Sequence, residues 1–243
     1  MKTPIALAAA LLVALVATPA SAQTRGYISV NALAQPSNAS LSDHFTYPVN
    51  AETATADVTY PSKVGIGGEG GAGIRLWKQL GAGVAVSYVS NSGDAEINAQ
   101  IPHPFFFNQP RAVSGTQTGV GRSETAVHLQ VLYFLPSTGK LRAVLSGGPS
   151  YVSLRQDVVD EILHKDVYPY DTATLSLAPT SSETASAIGF NVGADIRWMF
   201  NRSFGVGGIV RFTRAQVDLD VNGRSLGVDT GGVQAGAGVR IGF

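Results

Sequence analysis

The stretch GGVQAGAGVRIGF, residues 231–243, alternates strictly between two kinds of side chain. One face carries only apolar residues. These residues are Val233, Ala235, Ala237, Val239, Ile241 and Phe243. The other face carries Gln234 and Arg240 between glycines. A period of two residues is typical of a β-strand, because successive side chains of a strand point to opposite faces. The first face suits hydrocarbon, and the second suits a polar or tightly packed interior.

The same alternation recurs along most of the chain. In 182–200, for example, Phe190 and Trp198 lie on one face, whereas Asp195 and Arg197 lie on the other. The segments have about the 9 to 11 residues that a tilted membrane strand needs. The predicted strands are 25–35, 64–77, 81–94, 123–135, 141–155, 182–200, 203–213 and 231–243. The pattern predicts an all-β fold, an eight-stranded antiparallel up-and-down transmembrane β-barrel. Ten strands are the alternative, because 42–60 could form a further hairpin.

One predicted strand, VGIGGEGGAGIRLW at 64–77, has glycines with the spacing of a dinucleotide-binding loop. Such a loop needs a buried strand before it and a helix after it, and the sequence predicts neither. Gly65 and Gly67 also fall on the opposite face of the strand from Gly70. We therefore interpret the stretch as barrel wall, in which small inner residues leave room for Glu69 and Arg75.

The predicted connections are of two lengths. Short turns at 78–80, 136–140 and 201–202 alternate with long loops at 36–62, 95–121 and 156–181. Outer-membrane barrels combine short periplasmic turns with long extracellular loops. The alternation predicts a bacterial outer-membrane protein with both termini in the periplasm and the long loops outside the cell.

The N-terminus has the pattern of a secretory signal. Lys2 gives a basic start, 5–16 is apolar, and Ala20-Ser21-Ala22 is a small-residue cleavage pattern. We expect a signal peptide at 1–22 and one barrel domain at 23–243. The chain has no cysteine, which excludes disulfides and thiolate sites. The 17 basic and 17 acidic side chains balance, so charge gives no case for a nucleic-acid partner.

Several segments together resemble a known family. They are RGYISVN at 25–31, IRLWKQLGAGVAVSY at 74–88, GFNVGADIRWMF at 189–200 and GAGVRIGF at 236–243. With the signal sequence, they are similar to the bacterial outer-membrane β-barrel domain family, the small barrels related to OmpA, OmpX and OmpW. The resemblance implies that Phe243, with Val239 and Ile241, forms the terminal signal read by the barrel-assembly machinery. It implies a monomer in contact with outer-membrane lipid and lipopolysaccharide.

Charged residues on the inner faces are the first candidate site. They are Glu69, Arg75, Glu124, His128, Arg142, Asp195, Arg197, Arg211 and Arg240. An eight-stranded barrel is just wide enough for side chains to fill, so these charges must pair across the lumen. We expect a salt-bridged plug. The alternative is a narrow or gated porin-like channel, whose arginines would favour anions.

Metal and catalytic motifs are weak. Asp218, Asp220, Asn222 and Asp229 have the spacing of a calcium loop, but Asn222-Gly223 is a hairpin signal. No metal or other cofactor is therefore expected. Some barrels of this size modify lipid A, and His128 with Glu124 could form a base and its carboxylate partner. Both point inward in mid-wall, so we expect no catalytic residues and no enzyme.

The long loops carry the second candidate site. Aromatic residues stand among prolines at 101–108 and 167–170. They are Phe105, Phe106, Phe107, Tyr168 and Tyr170. They form either a contact patch for an extracellular ligand or for lipopolysaccharide, or a lid over the barrel mouth. Because binding residues concentrate on loops of a rigid scaffold, we expect a structural or surface-interaction role, such as adhesion.

Overall fold

The computed structural model describes residues 26–36, 40–61, 63–137, 139–221 and 223–243. The signal peptide predicted for 1–22 lies outside the described residues. Within them the chain forms strands and turns, and none of them forms a helix that is long and apolar enough to span a membrane. The strands are β1 (Gly26–Gln35), β2 (Leu41–Val49), β3 (Glu52–Tyr60), β4 (Gly65–Trp77), β5 (Leu80–Pro102), β6 (Pro110–Phe134), β7 (Leu141–Val159), β8 (Leu163–Val167), β9 (Thr172–Leu177), β10 (Thr180–Met199), β11 (Phe204–Val221) and β12 (Arg224–Gly242).

Eight of these strands close an antiparallel ring. Their order around the ring is β1, β4, β5, β6, β7, β10, β11 and β12, and β12 pairs again with β1. Ala32 of β1, for example, lies opposite Gly68 of β4 on one side and Ala237 of β12 on the other. The predicted eight-stranded barrel is confirmed. Closure of the ring gives every spanning strand two hydrogen-bonded neighbours.

The two faces of the ring have the predicted chemistry. In β12 the side chains of Val233, Val239 and Ile241 are exposed on the outside, whereas Gln234 and Arg240 are buried inside. A belt of exposed aromatic side chains surrounds the end of the barrel that carries the short turns. The belt comprises Trp77, Tyr133, Trp198, Phe200, Phe204 and Phe243. Aromatic belts of this kind lie at the level of lipid headgroups. We call this end the short-turn end and the opposite end the hairpin end.

The strands are longer at the hairpin end than the sequence predicted. β5 continues to Pro102 and β6 begins at Pro110, so the range 95–121, predicted as a loop, is largely strand. The range 156–181 contains β8 and β9, and 36–62 contains β2 and β3. These corrections have one physical cause. Strand pairing continues because a second core lies inside this end.

Around this second core the apolar side chains point inward and the polar ones outward, the reverse of the arrangement in the membrane-spanning part of the strands. On β11, Val210 and Phe212 face outward, but the next outward positions include Asp218 and Asp220. The inward positions change from Arg211 and Thr213 to apolar residues. The apolar residues are Ala215, Val217, Leu219 and Val221. An apolar inside and polar outside suit water around the strand, so the apolar outer band ends close to Phe212.

The extra hairpin suspected at 42–60 forms, but it does not join the ring of spanning strands. β2 pairs with β3, and β3 pairs with the outer part of β5 through 55–59 and 96–100. β1 ends at Gln35 and β4 begins at Gly65, so the hairpin takes their place around the second core. Arg224 of β12 joins Asp43 of β2 at 3.0 Å and lies 4.4 Å from the centre of the Phe45 ring. The barrel therefore has eight spanning strands, not ten.

Tyr60 attaches this hairpin to the far side of the second core. Its hydroxyl accepts a hydrogen bond from the backbone N–H of Val159 at 2.8 Å, at the end of β7. Burial raises the pKa of Tyr60 to about 12, because the charged phenolate is poorly solvated there. The neutral phenol is thus the form that the packed hairpin end stabilises. We infer that ionisation in strong alkali opposes this attachment.

Candidate functional site

The charged residues predicted inside the barrel fall into two groups. Seven of the nine are buried: Glu69, Glu124, His128, Asp195, Arg197, Arg211 and Arg240. Arg75 is exposed and Arg142 is half-buried, and both lie near the short-turn end. The alternation thus predicted which face each residue occupies. The alternation did not show that Arg75 would be exposed and Arg142 only half-buried.

Asp195 is the centre of the buried network. Its carboxylate accepts hydrogen bonds from Arg197 Nε at 3.0 Å and from Arg240 Nε at 3.0 Å. Arg240 also donates to the side-chain oxygen of Asn31 at 2.6 Å. Asn31 in turn donates to Glu69, which forms an ion pair with Arg211. Five charged side chains from β4, β10, β11 and β12 are therefore linked across the lumen.

Glycines on the inner wall make room for these long side chains. A Cβ atom at Gly207 would lie 3.1 Å from Arg240 Nε and 2.6 Å from the carbonyl oxygen of Ile196. A Cβ at Gly73, in the glycine-rich stretch at 64–77, would lie 2.4 Å from the Tyr27 ring. The stretch is barrel wall, as predicted. Gly65, Gly67 and Gly73 allow the close approach of neighbouring atoms, whereas a Cβ at Gly70 would meet no other atom within 4 Å.

A second polar cluster lies nearer the hairpin end. Glu124 accepts hydrogen bonds from Arg122 Nη2 at 2.7 Å and from the backbone N–H of Gly231 at 3.1 Å. His128 is fully buried between Ser87, at 3.0 Å, and Ser150, at 2.8 Å. Several further polar residues of the lumen were not among the predicted site residues, although the alternation had already placed Gln234 on the inner face of its strand. These are Asn31, Gln35, Ser87, Arg122, Ser150, Asn191 and Gln234. Strand alternation could have found Asn31 and Gln35, which share the inward phase of β1.

Little space remains in this network. A cavity of about 20 Å³ lies among Tyr27, Glu69, Asp195 and Arg211. A buried water needs roughly 10–15 Å³, so this cavity holds about one water molecule. The geometry is that of a filled lumen.

The residues of the weak calcium motif do not converge. Asp218 and Asp220 lie on the outward face of β11, and the Asp220 side chain accepts a hydrogen bond from the Gly223 N–H at 2.9 Å. Asp229 lies 3.6 Å from Arg214, and Asn222 is outside the described residues. The described part of the chain brings together no group of three acidic or histidine side chains suited to a metal.

The aromatic residues of the second candidate site do come together. Phe105 lies edge-on to Tyr170, with ring centres 5.2 Å apart, and Tyr170 is 5.8 Å from Tyr168. Phe105, Phe106, Phe107 and Tyr168 are 66%, 57%, 70% and 82% exposed. We call these four residues and Tyr170 the tip cluster. It joins the tip of the β5–β6 hairpin to the tip of the β8–β9 hairpin.

Arg111 holds the two tips together. Its buried guanidinium forms an ion pair with Asp166 at 2.7 Å. It also donates to the carbonyl oxygens of Tyr170, at 3.0 Å, and Pro102, at 2.9 Å. An arginine has five N–H donors in a planar fork, so one side chain can fix several strand ends. The tip cluster therefore stands on an ordered support.

His103 shapes the β5–β6 tip from below. It is buried, and its Nδ1 accepts hydrogen bonds from the backbone N–H groups of Phe105, at 3.1 Å, and Phe106, at 3.2 Å. Asn108 donates its N–H to Glu52, at the start of β3 in the β2–β3 hairpin, at 2.9 Å. Three hairpins thus meet at one end of the molecule. The aromatic residues were identified from the sequence, but Arg111, His103 and Glu52, the residues that hold them in place, were not.

An antiparallel ring with an apolar outer band, an aromatic belt and a charged interior defines a membrane-spanning β-barrel. The chain belongs to the outer membrane protein β-barrel domain family, whose family model matches residues 5–240. This membership confirms the resemblance found in the sequence. The roles of Val239, Ile241 and Phe243 in assembly stay a prediction.

Solved structures of outer-membrane proteins are similar in fold. OprG from Pseudomonas aeruginosa matches with a TM-score of 0.52 and 8% identity, over 91% of this chain and 96% of that protein. Neisserial surface protein A matches with a TM-score of 0.47 and 14% identity, over 90% and 97%. The attachment invasion locus protein Ail of Yersinia pestis matches with a TM-score of 0.41 and 11% identity, over 90% and 99%. No curated protein sequence matches the chain.

Proposed function

We propose that this protein is a non-enzymatic contact protein of the outer membrane, with the hairpin end outside the cell. The short-turn end and both termini then lie in the periplasm, as the sequence predicts. The tip cluster is the contact surface, and it binds apolar groups of an external partner. The observation that carries the proposal is the exposure of four large aromatic side chains on an ordered, three-hairpin support.

The exposure favours a contact patch over a lid. The residues beneath the tip cluster, including Ile101 and His103, are already buried by the hairpins themselves. The outer rings of Phe105 to Phe107 and Tyr168 keep more than half of their surface in solvent. Grouped exposed apolar side chains are a common mark of an interaction site. Rigid aromatic rings also supply contact area at a small cost in conformational entropy.

Removal of the tip aromatics tests the contact. We expect the variant Phe105→Ser, Phe106→Ser, Phe107→Ser and Tyr168→Ser to fold normally, because these side chains are mostly exposed. Cells that display the wild-type protein should partition into hexadecane more strongly than cells without it. The variant should lose most of this difference, since the apolar patch is gone. Folding is checked by the heat-dependent mobility of the barrel on gels.

Leu163 and Leu177 provide the matched control. Both are exposed apolar residues of the same β8–β9 hairpin, but they lie at its base, away from the tip cluster. The variant Leu163→Ser and Leu177→Ser should keep the wild-type partitioning. If both variants lose it equally, the tip cluster is not the contact surface. A tip variant that misfolds while hexadecane partitioning persists would instead identify the cluster as a lid.

The filled lumen leads us to propose a barrel that does not conduct. We expect no single-channel events from the folded protein in planar lipid bilayers, because ion pairs cross the lumen and the cavity among Glu69, Asp195 and Arg211 holds only about one water molecule. Regular anion-selective steps from a sample shown to be fully folded would support the narrow channel instead. The mobility assay again verifies folding.

The same burial argues against lipid A chemistry at His128. Its ring is fully buried inside the barrel, and both ring nitrogens lie within hydrogen-bonding distance of serine hydroxyls. A lipid chain therefore does not reach it. Mass analysis of lipid A from a deletion strain checks this proposal. A change in acylation that the wild-type gene reverses would contradict it.

A further inference from the structure

Three arginines crowd the lumen at the short-turn end. Arg142 of β7 is the direct register partner of Arg197 on β10. Arg75 of β4 lies at the same end of the lumen, because it packs on the Phe134 ring, which contacts the Tyr27 ring beneath Arg197. Like charges directly opposite each other on a sheet are destabilising. We call these three residues the arginine mouth. A bound anion would offset the repulsion among its positive charges.

The protein supplies too little negative charge to neutralise the mouth. Asp195 is shared between Arg197 and the deeper Arg240. Within the described residues, Arg75 and Arg142 make no hydrogen bond or ion pair. The Nη2 atom of Arg197 is buried and also has no hydrogen-bond partner. A buried donor without a partner is costly, so it adds to the cost of the positive charge at this end of the lumen.

Two aromatic rings hold the guanidinium groups in position. Arg197 lies 3.5 Å from the centre of the Tyr27 ring, and Arg75 lies 4.5 Å from the centre of the Phe134 ring. The rings contact each other edge to face, with centres 6.4 Å apart. The exposed Arg75 guanidinium, stacked on its ring, keeps its N–H edge free for a ligand. The mouth is thus both positively charged and preorganised.

We propose that the arginine mouth binds a phosphate group, held by Arg75 and Arg142 with Arg197 beside them. Arginine pairs with phosphate through two parallel charge-assisted hydrogen bonds, which suits a site with several free guanidinium donors. Arg75 is exposed, so the group enters from the short-turn end without passing through the lumen. The phosphate belongs either to a phospholipid headgroup of the adjoining leaflet or to a free phosphate ion. The inference does not depend on the role of the tip cluster.

The first test measures phosphate binding in an uncharged maltoside detergent. Inorganic phosphate is titrated into the folded protein by calorimetry at constant ionic strength, and acetate is titrated as a second anion. We expect Arg75→Gln with Arg142→Gln to weaken phosphate binding at least tenfold. Lys78→Gln with Lys140→Gln is the matched control, because it removes the same charge from two short turns outside the mouth. This control should bind phosphate within about twofold of the wild type.

A second arm separates the two sources of phosphate. Wild-type protein is placed in nanodiscs that contain phosphatidylglycerol and phosphatidylcholine, and the phosphatidylglycerol retained on repurification is quantified. Retention that the double arginine variant loses identifies a headgroup, and binding of inorganic phosphate alone identifies the free ion. The proposal is overturned if neither binds, if acetate binds as well as phosphate, or if the lysine control loses binding as strongly as the arginine variant.

A stability measurement adds an independent readout. In phosphate-free maltoside, Arg142→Gln should raise the urea midpoint of unfolding, because it relieves the repulsion between Arg142 and Arg197. Phosphate should raise the midpoint of the wild type more than that of this variant. A lower midpoint for Arg142→Gln without phosphate would show that Arg142 serves packing, and would overturn the proposal.

Discussion

Asp195→Ala should lower the free energy of unfolding of the barrel in lipid vesicles by about 3 to 5 kcal/mol, the usual cost of removing one partner of a buried ion pair. Asp195 forms ion pairs with both Arg197 and Arg240, at 3.0 and 2.9 Å. Arg240 is fully buried, so its charge would be left in a poorly solvated lumen. Urea titrations of the refolded protein, followed by tryptophan fluorescence, measure the difference.

The comparison variants separate charge from general damage. Asp218→Ala removes the same residue type from the solvent-facing side of β11 and should leave the unfolding midpoint unchanged. Asp195→Asn keeps a side-chain oxygen that can accept one hydrogen bond, so it should fall between Asp195→Ala and the wild type. If the lumen were a water-filled channel, the arginines would stay hydrated. Asp195→Ala would then cost no more than Asp218→Ala, which would contradict the filled lumen.

The ring of strands was predictable because period-two alternation is local. Val239 and Arg240 reveal their opposite faces to anyone who reads residues 231–243. Which charges meet was not predictable, because pairing depends on the register of strands that are far apart in sequence. Asp195 lies on β10 and Arg240 on β12, and β11 lies between these strands in the ring. The two side chains meet across the inner face of β11, at 3.0 Å. The face that each residue occupies could therefore be predicted from the sequence, whereas the partners of the inward charges could not.

The hairpin end was harder to predict for a different reason. Residues such as Ile97 and Leu219 alternate with polar neighbours just as the membrane segments do, but here the apolar face points inward. Alternation alone does not indicate which face is inside, so the outer halves of the strands resembled polar loops. The tip aromatics were visible in the sequence. Their support by Arg111 and Glu52 depends on the meeting of three hairpins, which no local pattern encodes.

Position along β11 should decide how much an arginine substitution lowers the free energy of unfolding. Val210 is 55% exposed on the outward face of the apolar band. In a protein surrounded by water, Val210→Arg would cost little, because the arginine would stay hydrated. In a membrane barrel the same change should lower the free energy of unfolding by about 2 to 4 kcal/mol, the cost of an arginine near the bilayer midplane.

Gln216→Arg locates the edge of the band. Gln216 lies on the same face of the same strand, beyond Phe212, and its register partner on β12 is Asp229. We expect this variant to be as stable as the wild type in lipid vesicles, since residue 216 is surrounded by water and lies opposite a carboxylate. Equal destabilisation by Val210→Arg and Gln216→Arg would mean that the bilayer extends further along the strands. Wild-type stability of both variants would mean that the apolar band does not contact hydrocarbon. The hairpin end would then not differ from the rest of the barrel in its exposure to water.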